Sequence, residues 1–304
     1  MKDHHRTFHI LVLLTFGLMV AVVLLSAYMR LSATGLGCAE WPGCYGQILS
    51  GNAPPRPAWI NITHRIAASL MGLAAIGIVA LGWKIRQSSR GSFMQALVLL
   101  GLTLFLAALG RWTHDARLPA VALGNLLGGL GLLLLLWNMH LGCMQQNPVA
   151  SGLKGWIGFG LLLLFAQVML GGMASANFAA SSCSGLTAAG CEKWVQSATW
   201  TAFNPFNPLE VPAGSDFAPG VLQQTLHMAH RAMILPLFCY LVWLGIRLFR
   251  ASHKGGGALL IATLVLQIAL GISIVVNGSP LFLLMLHNAL AAFMLLVLVT
   301  LLAE

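Results

Sequence analysis

The sequence predicts an all-α membrane protein: eight transmembrane helices in two pseudo-symmetric four-helix bundles, with both termini in the cytoplasm. Three observations carry that expectation. Of 304 residues, 58% are apolar and only 8% charged, too little charge to keep a soluble surface of this size wet. Apolar runs recur at close to the roughly 20 residues a helix needs to cross a bilayer. Lys and Arg gather in alternate connections between those runs. The net charge of +9 therefore reads as a topological signal rather than a nucleic-acid footprint, and the surrounding partner is membrane lipid.

The first run, 9–28, follows a charged start and ends at Met29-Arg30 with no small-residue cleavage site, so it is expected to remain as a span. Spans follow at 59–83, 92–110, 119–140, 155–174, 220–247, 257–277 and 281–302. Lys2, Arg6, Lys84, Arg86, Arg90, Lys154, Arg247, Arg250 and Lys254 fall on one side, against Arg30, Arg56, Arg111, Arg117 and Lys193 on the other. The positive-inside rule places the first group, and both termini, in the cytoplasm.

Two connections on the opposite side are long, 29–58 and 175–219, and each precedes a span with a His-Arg pair. Ile62-Thr63-His64-Arg65 matches Met228-Ala229-His230-Arg231, and Leu118-Pro119 leading to Gly124-Asn125 matches Ser279-Pro280 leading to His287-Asn288. The order of these matches implies an internal duplication, with halves 1–147 and 148–304.

Ten histidines are many for so apolar a chain. His4, His5 and His9 in the N-terminal tail, and His140 and His253 at helix ends, read as solvated or interfacial. His64, His227, His230 and His287 lie within spans, where an ionisable group is costly unless it faces a bundle interior and a partner. The spans carry no carboxylate, which argues against a zinc site or a proton relay. Two neutral imidazoles from facing helices suit the axial positions of a heme iron, and His230 with His287 is such a pair. Gly171, Gly172 and Gly271 would let a flat macrocycle approach the backbone. Arg65 and Arg231, each beside a His, are placed to pair with heme propionates or to snorkel to headgroups. His114, just before the fourth span, and His227 remain without an assigned role.

Four of the six cysteines fall in the long connections as close pairs, Cys38 with Cys44 and Cys183 with Cys191. On an oxidising face each pair reads as a disulfide, with a reactive dithiol as the alternative. Cys143 and Cys239 read as inert thiols.

The loop Arg30-Leu-Ser-Ala-Thr-Gly-Leu-Gly-Cys38-Ala-Glu-Trp41-Pro42-Gly-Cys44 resembles the first long loop of the heme A synthase family. So do Thr63-His64-Arg65, Gly110-Arg-Trp112-Thr113, Leu118-Pro119 with Asn125-Leu-Leu-Gly-Gly129, Gly171-Gly172 to Asn177, His230-Arg231 and His287, in order along nearly the whole chain. The resemblance implies an oxidoreductase of the cell (inner) membrane that oxidises a methyl group of heme O to the formyl group of heme A. It implies a resident heme b between His230 and His287 in the C-terminal half, heme O beside His64 in the N-terminal half, and paired loop cysteines. Heme O synthase and oxidase assembly proteins are the protein partners it suggests. Typical members have a Glu where this chain has Asn61, and a His in the fourth span where it reads Gly124-Asn125. Both changes fall in the half that receives substrate, and Asn is neither a base at neutral pH nor as good an iron ligand as imidazole. A diverged paralogue that moves electrons or delivers heme without oxidising it is the alternative.

Overall fold

A computed structural model describes residues 2–33, 58–110, 118–144, 151–180, 220–251 and 253–304, with 182, 183, 185, 191, 194, 197 and 199–208 of the long connection between them. Eight helices carry the described chain: α1 (Lys2–Ala33), α2 (Ala58–Ile85), α3 (Arg90–Gly110), α4 (Pro119–Leu141), α5 (Ser151–Ala176), α6 (Val221–Arg250), α7 (Lys254–Val276) and α8 (Leu281–Ala303). All eight are long and apolar enough to cross a membrane, and no strand occurs among the described residues. The protein is a multi-pass membrane protein. A short 3-10 turn, Trp200–Phe203, lies between α5 and α6.

The spans fall where the hydropathy runs place them, with one extension. α1 begins at Lys2, so the charged N-terminal segment is helical rather than a tail. The extension gives its histidines partners: His9 Nε2 and His140 Nδ1 lie 2.8 Å apart, and His5 Nε2 lies 2.9 Å from Ser88 Oγ. At the other end of the chain, His253 faces the Glu304 carboxylate at 3.5 Å.

Helix ends follow local chemistry. Pro119 opens α4, where the missing N–H costs nothing. At the start of α6 the Gln223 side chain turns back to accept the Gly220 N–H at 3.0 Å. α5 and α7 end alike. The Asn177 side chain donates to the Met173 carbonyl and that of Asn277 to the Ser273 carbonyl. Phe178 and Gly278 then take left-handed φ values of 58° and 70°. The Ala179 N–H bonds to the Ala174 carbonyl and the Ser279 N–H to the Ile274 carbonyl, each at 2.7 Å, satisfying carbonyls that a helix end leaves open.

Within each run of four, every helix packs on the next and the last returns to the first: α1 on α2 and α4, α3 on both, then α5 on α6 and α8, α7 on both. The two rings meet where α4 packs on α5 and α8, and α1 on α8. Lipid is as apolar as leucine, so helix association in a membrane relies on close packing rather than on escape from water. Small residues provide it. A Cβ on Gly128 would meet Leu106 of α3, and one on Gly257 would sit 2.5 Å from the Gly245 carbonyl oxygen of α6. Leu136, Leu241, Leu244, Leu248, Leu260 and Leu298 are fully buried along the common core. Leu14, Leu235 and Phe282 point outward, each about two-thirds exposed (67–69%), as a lipid-facing belt requires.

Candidate functional site: a histidine-lined cavity within the bundle

A cavity of about 1870 Å³ opens toward the end of the bundle opposite the termini and is walled by all eight helices. Ligand sites typically enclose about 300–1,000 Å³, so this one has room for a large ligand or more than one. His64 and Arg65 reach it from α2, Asn125 from α4, His227, His230 and Arg231 from α6, and His287 from α8. The structure thus brings these seven residues singled out in the sequence together on one cavity, and Cys183 and Cys191 are not among its lining. Asn61 lies on α2 with its side chain outside the described part, and Cys38, Cys44 and His114 lie outside the described residues.

His230 and His287 sit in matching cradles. On α5, Gln167 Nε2 donates to the His230 carbonyl oxygen at 3.0 Å and lies 3.2 Å from His230 Nδ1. On α7, Gln267 Nε2 donates to the His287 carbonyl oxygen at 3.1 Å. One turn on, each glutamine is followed by a glycine that makes room for the ring. A Cβ on Gly171 would lie 2.9 Å from His230 Cε1, and one on Gly271 would lie 3.5 Å from His287 Cε1. These glycines therefore receive imidazoles, whereas the sequence suggested that they admit a macrocycle. Gly172 faces Leu123 and Leu126 of α4 and serves helix packing.

The cradles repeat in sequence as well as in space: Gln167, Gly171 and Asn177 recur as Gln267, Gly271 and Asn277. That spacing is the signal that could have identified both glutamines from the sequence.

Polar groups left unsatisfied mark the same place. The buried Nδ1 of His287, both glutamine Oε1 atoms and one Arg231 nitrogen have no hydrogen-bond partner. Buried orphans of this kind are rare and call for a ligand or another explanation. Two imidazoles in glycine cradles, an apolar wall and these orphan groups fit a bound heme with bis-histidine ligation. Among the described residues no group of three or more His, Cys, Asp or Glu could hold a bare metal ion.

The remaining predicted residues divide by role. His227 Nδ1 donates to the Ala179 carbonyl at 2.6 Å, so this imidazole ties α6 to the turn after α5. Arg231 Nη1 donates to the Gly185 carbonyl at 3.0 Å. Ser182 Oγ donates to the Gln223 carbonyl, and Gln224 Oε1 accepts the Trp194 N–H. These bonds fasten the long connection onto α6 between Gln223 and Arg231, and a disulfide between Cys183 and Cys191, whose Cα atoms are 5.0 Å apart, closes the connection on itself. The sequence reading of a disulfide holds for this pair. His64 reaches the cavity half-exposed, and Arg65 is exposed at its rim.

The sequence marks Arg30 only as a topological charge. It lines the cavity from α1, donating through Nη1 to Ser175 Oγ of α5 and through Nη2 to Asn288 Oδ1 of α8 at 3.0 Å.

The chain is similar to known proteins along nearly its whole length. A heme A synthase from Shewanella oneidensis is 36% identical over 92% of this chain and 91% of its own length. A heme A synthase from Halalkalibacterium halodurans is 25% identical over 93% of the chain and 92% of its own. A protoheme IX farnesyltransferase from Thermus thermophilus shares 34% identity over 109 residues, 32% of this chain and 17% of that protein. Residues 9–299 match the COX15-CtaA family of cytochrome oxidase assembly proteins, which takes in all eight helices and the whole cavity, and the chain belongs to that family.

Proposed function

We infer that this protein is a heme A synthase, a membrane oxidoreductase that converts a methyl group of heme O to a formyl group for cytochrome oxidase assembly. The observation that carries the reading is the pair of imidazoles on α6 and α8, held in equivalent Gln–Gly cradles on one cavity, in a chain that aligns end to end with heme A synthases.

His230 and His287 would hold a resident heme b, and when bound that group supplies a one-electron redox centre. The protein's own residues do the rest. Gln167 and Gln267 fix the backbone of each ligating residue, and Gly171 and Gly271 set the depth of each ring. Packed leucines of α4 and α6 keep water from the walls. His64, on the part of the cavity walled by α2, is assigned to the substrate heme O, with Asn125 opposite on α4 and Asn61 one turn earlier on α2. Asn125 offers an amide where an imidazole would bind iron more tightly. The substrate half, 1–147, is therefore assigned a weaker grip on iron than the cofactor half, 148–304, which suits a group that must enter and leave. Arg65 and Arg231 are assigned to propionates at the rim.

We place the protein in the cell (inner) membrane with both termini in the cytoplasm, on the strength of its basic connections. Heme O synthase and oxidase assembly proteins are the protein partners that membership of this family suggests.

The test is expression with a heme O source, followed by pigment extraction. A formyl porphyrin, recognised by mass and red-shifted absorbance, is expected, whereas heme b alone would leave a binding protein without oxidation. His230→Ala and His287→Ala are expected to lose the resident heme while Asn125→Ala keeps it; loss in the Asn125 variant alone would reverse the assignment of the halves.

A further inference from the structure

The cavity contains a cation whose place in the bundle differs from that of the two arginines beside histidines. Arg30 stands on the last turn of α1, yet its guanidinium crosses to the second ring and ties α5 to α8 through Ser175 and Asn288. Both partners are neutral. Asn288 is itself fixed, since its Nδ2 donates to the Leu284 carbonyl at 2.7 Å, and it follows directly on His287. The described acidic residues are Asp3 and Glu304, both at the opposite end of the bundle. A guanidinium stays charged and has five N–H donors, of which these contacts use two. A cation at this depth is costly unless it meets an anion.

We propose that Arg30 is a carboxylate anchor: it binds a propionate of a tetrapyrrole in the cavity at the seam between the two rings. The planar fork of arginine matches a carboxylate with two parallel bonds, and Ser175 and Asn288 hold that fork in place before the ligand arrives. Arg65 is exposed at the rim, and one nitrogen of Arg231 is already committed to the Gly185 carbonyl; among the described contacts Arg30 alone of the three joins both halves. This assignment rests on the reading that the cavity holds heme.

The test uses purified full-length protein in lipid nanodiscs, titrated with heme b or heme O and with the dimethyl ester of each, in which both carboxylates are blocked. A charge-assisted bond of ordinary strength predicts that wild type prefers the free acid by about tenfold or more. Arg30→Gln is expected to cut that preference several-fold, Arg65 and Arg231 keeping the remainder, while ester binding stays at its wild-type level. Arg30→Lys, which keeps the charge without the fork, is expected to retain a reduced preference, and it serves as the decisive variant if the glutamine form does not fold. Loss of resident heme from the purified glutamine variant would assign the carboxylate to the cofactor. Normal resident heme with lost heme O discrimination would assign it to the substrate. A wild-type preference surviving in Arg30→Gln, or acid and ester binding falling in parallel in both variants, overturns the proposal. If wild type binds neither tetrapyrrole, the reading of the cavity as a heme site fails and takes this assignment with it.

Discussion

The imidazoles proposed as ligands are only as well placed as the atoms behind them, and here those atoms are a glycine and a glutamine on the neighbouring helix. Because a Gly171 Cβ would stand 2.9 Å from His230 Cε1, Gly171→Ala must push the ring or spread α5 from α6, at about 1–3 kcal/mol. The expected outcome is a several-fold fall in heme content by pyridine hemochrome assay, on the order of 10-fold for each 1.4 kcal/mol. Gly155→Ala, on the same helix with open space around it, is expected to leave heme content unchanged. Equal loss in both would make the effect a matter of helix stability rather than of the cradle. The cysteines give a second contrast. Partial desolvation of the Cys143 thiol, on the turn after α4, raises its pKa above the usual thiol value. Less of it is thiolate at neutral pH, so its maleimide labelling should be slower than that of a free model thiol and should keep rising with pH after the model has levelled off. Cys183 and Cys191 should label only after reduction.

At the scale of helices, much was legible in advance and the failures have physical reasons. Runs of apolar residues located all eight helices because each must span the same thickness of hydrocarbon. The start of α1 was missed because charge marks where a helix leaves the membrane, not where it stops being helical; Asp3 and Arg6 lie inside it. His230 and His287 stood out as ionisable groups among apolar neighbours. Their glutamines did not, because a Gln in a span identifies a partner only once it is known which helices face each other. Arg30 was hidden for a related reason: counted as a loop charge, it fits the topology, and only the packing of α1 on α8 turns it inward. The repeat across α5 and α7 predicts that Gln167→Leu and Gln267→Leu are similar lesions. Each leaves its histidine in place but loosens it, which should shift the midpoint potential of the bound heme in a spectroelectrochemical titration more than it lowers heme content. Wild-type potentials in both variants would show that the glutamines merely pack.

For the molecule as a whole, two four-helix rings share one cavity, and only the second ring carries a pair of cradled histidines among the described residues. On the proposed assignment the two rings divide labour between holding a group and processing one, with Asn61 and Asn125 on the processing side.

The fastened connection after α5 has its own consequence. Ser182 and Trp194 bond to Gln223 and Gln224 in the first turn of α6, about two turns before His230, Gly185 accepts from Arg231 just after it, and the Cys183–Cys191 bridge closes the connection that carries these contacts. Phe178 and Ala180, just before the bridged segment, line the cavity, so opening the bridge is expected to loosen that wall. Reduction under mild conditions should speed transfer of the resident heme to apomyoglobin without shifting its absorbance bands, and Cys183→Ser should exchange fast whether or not reductant is present.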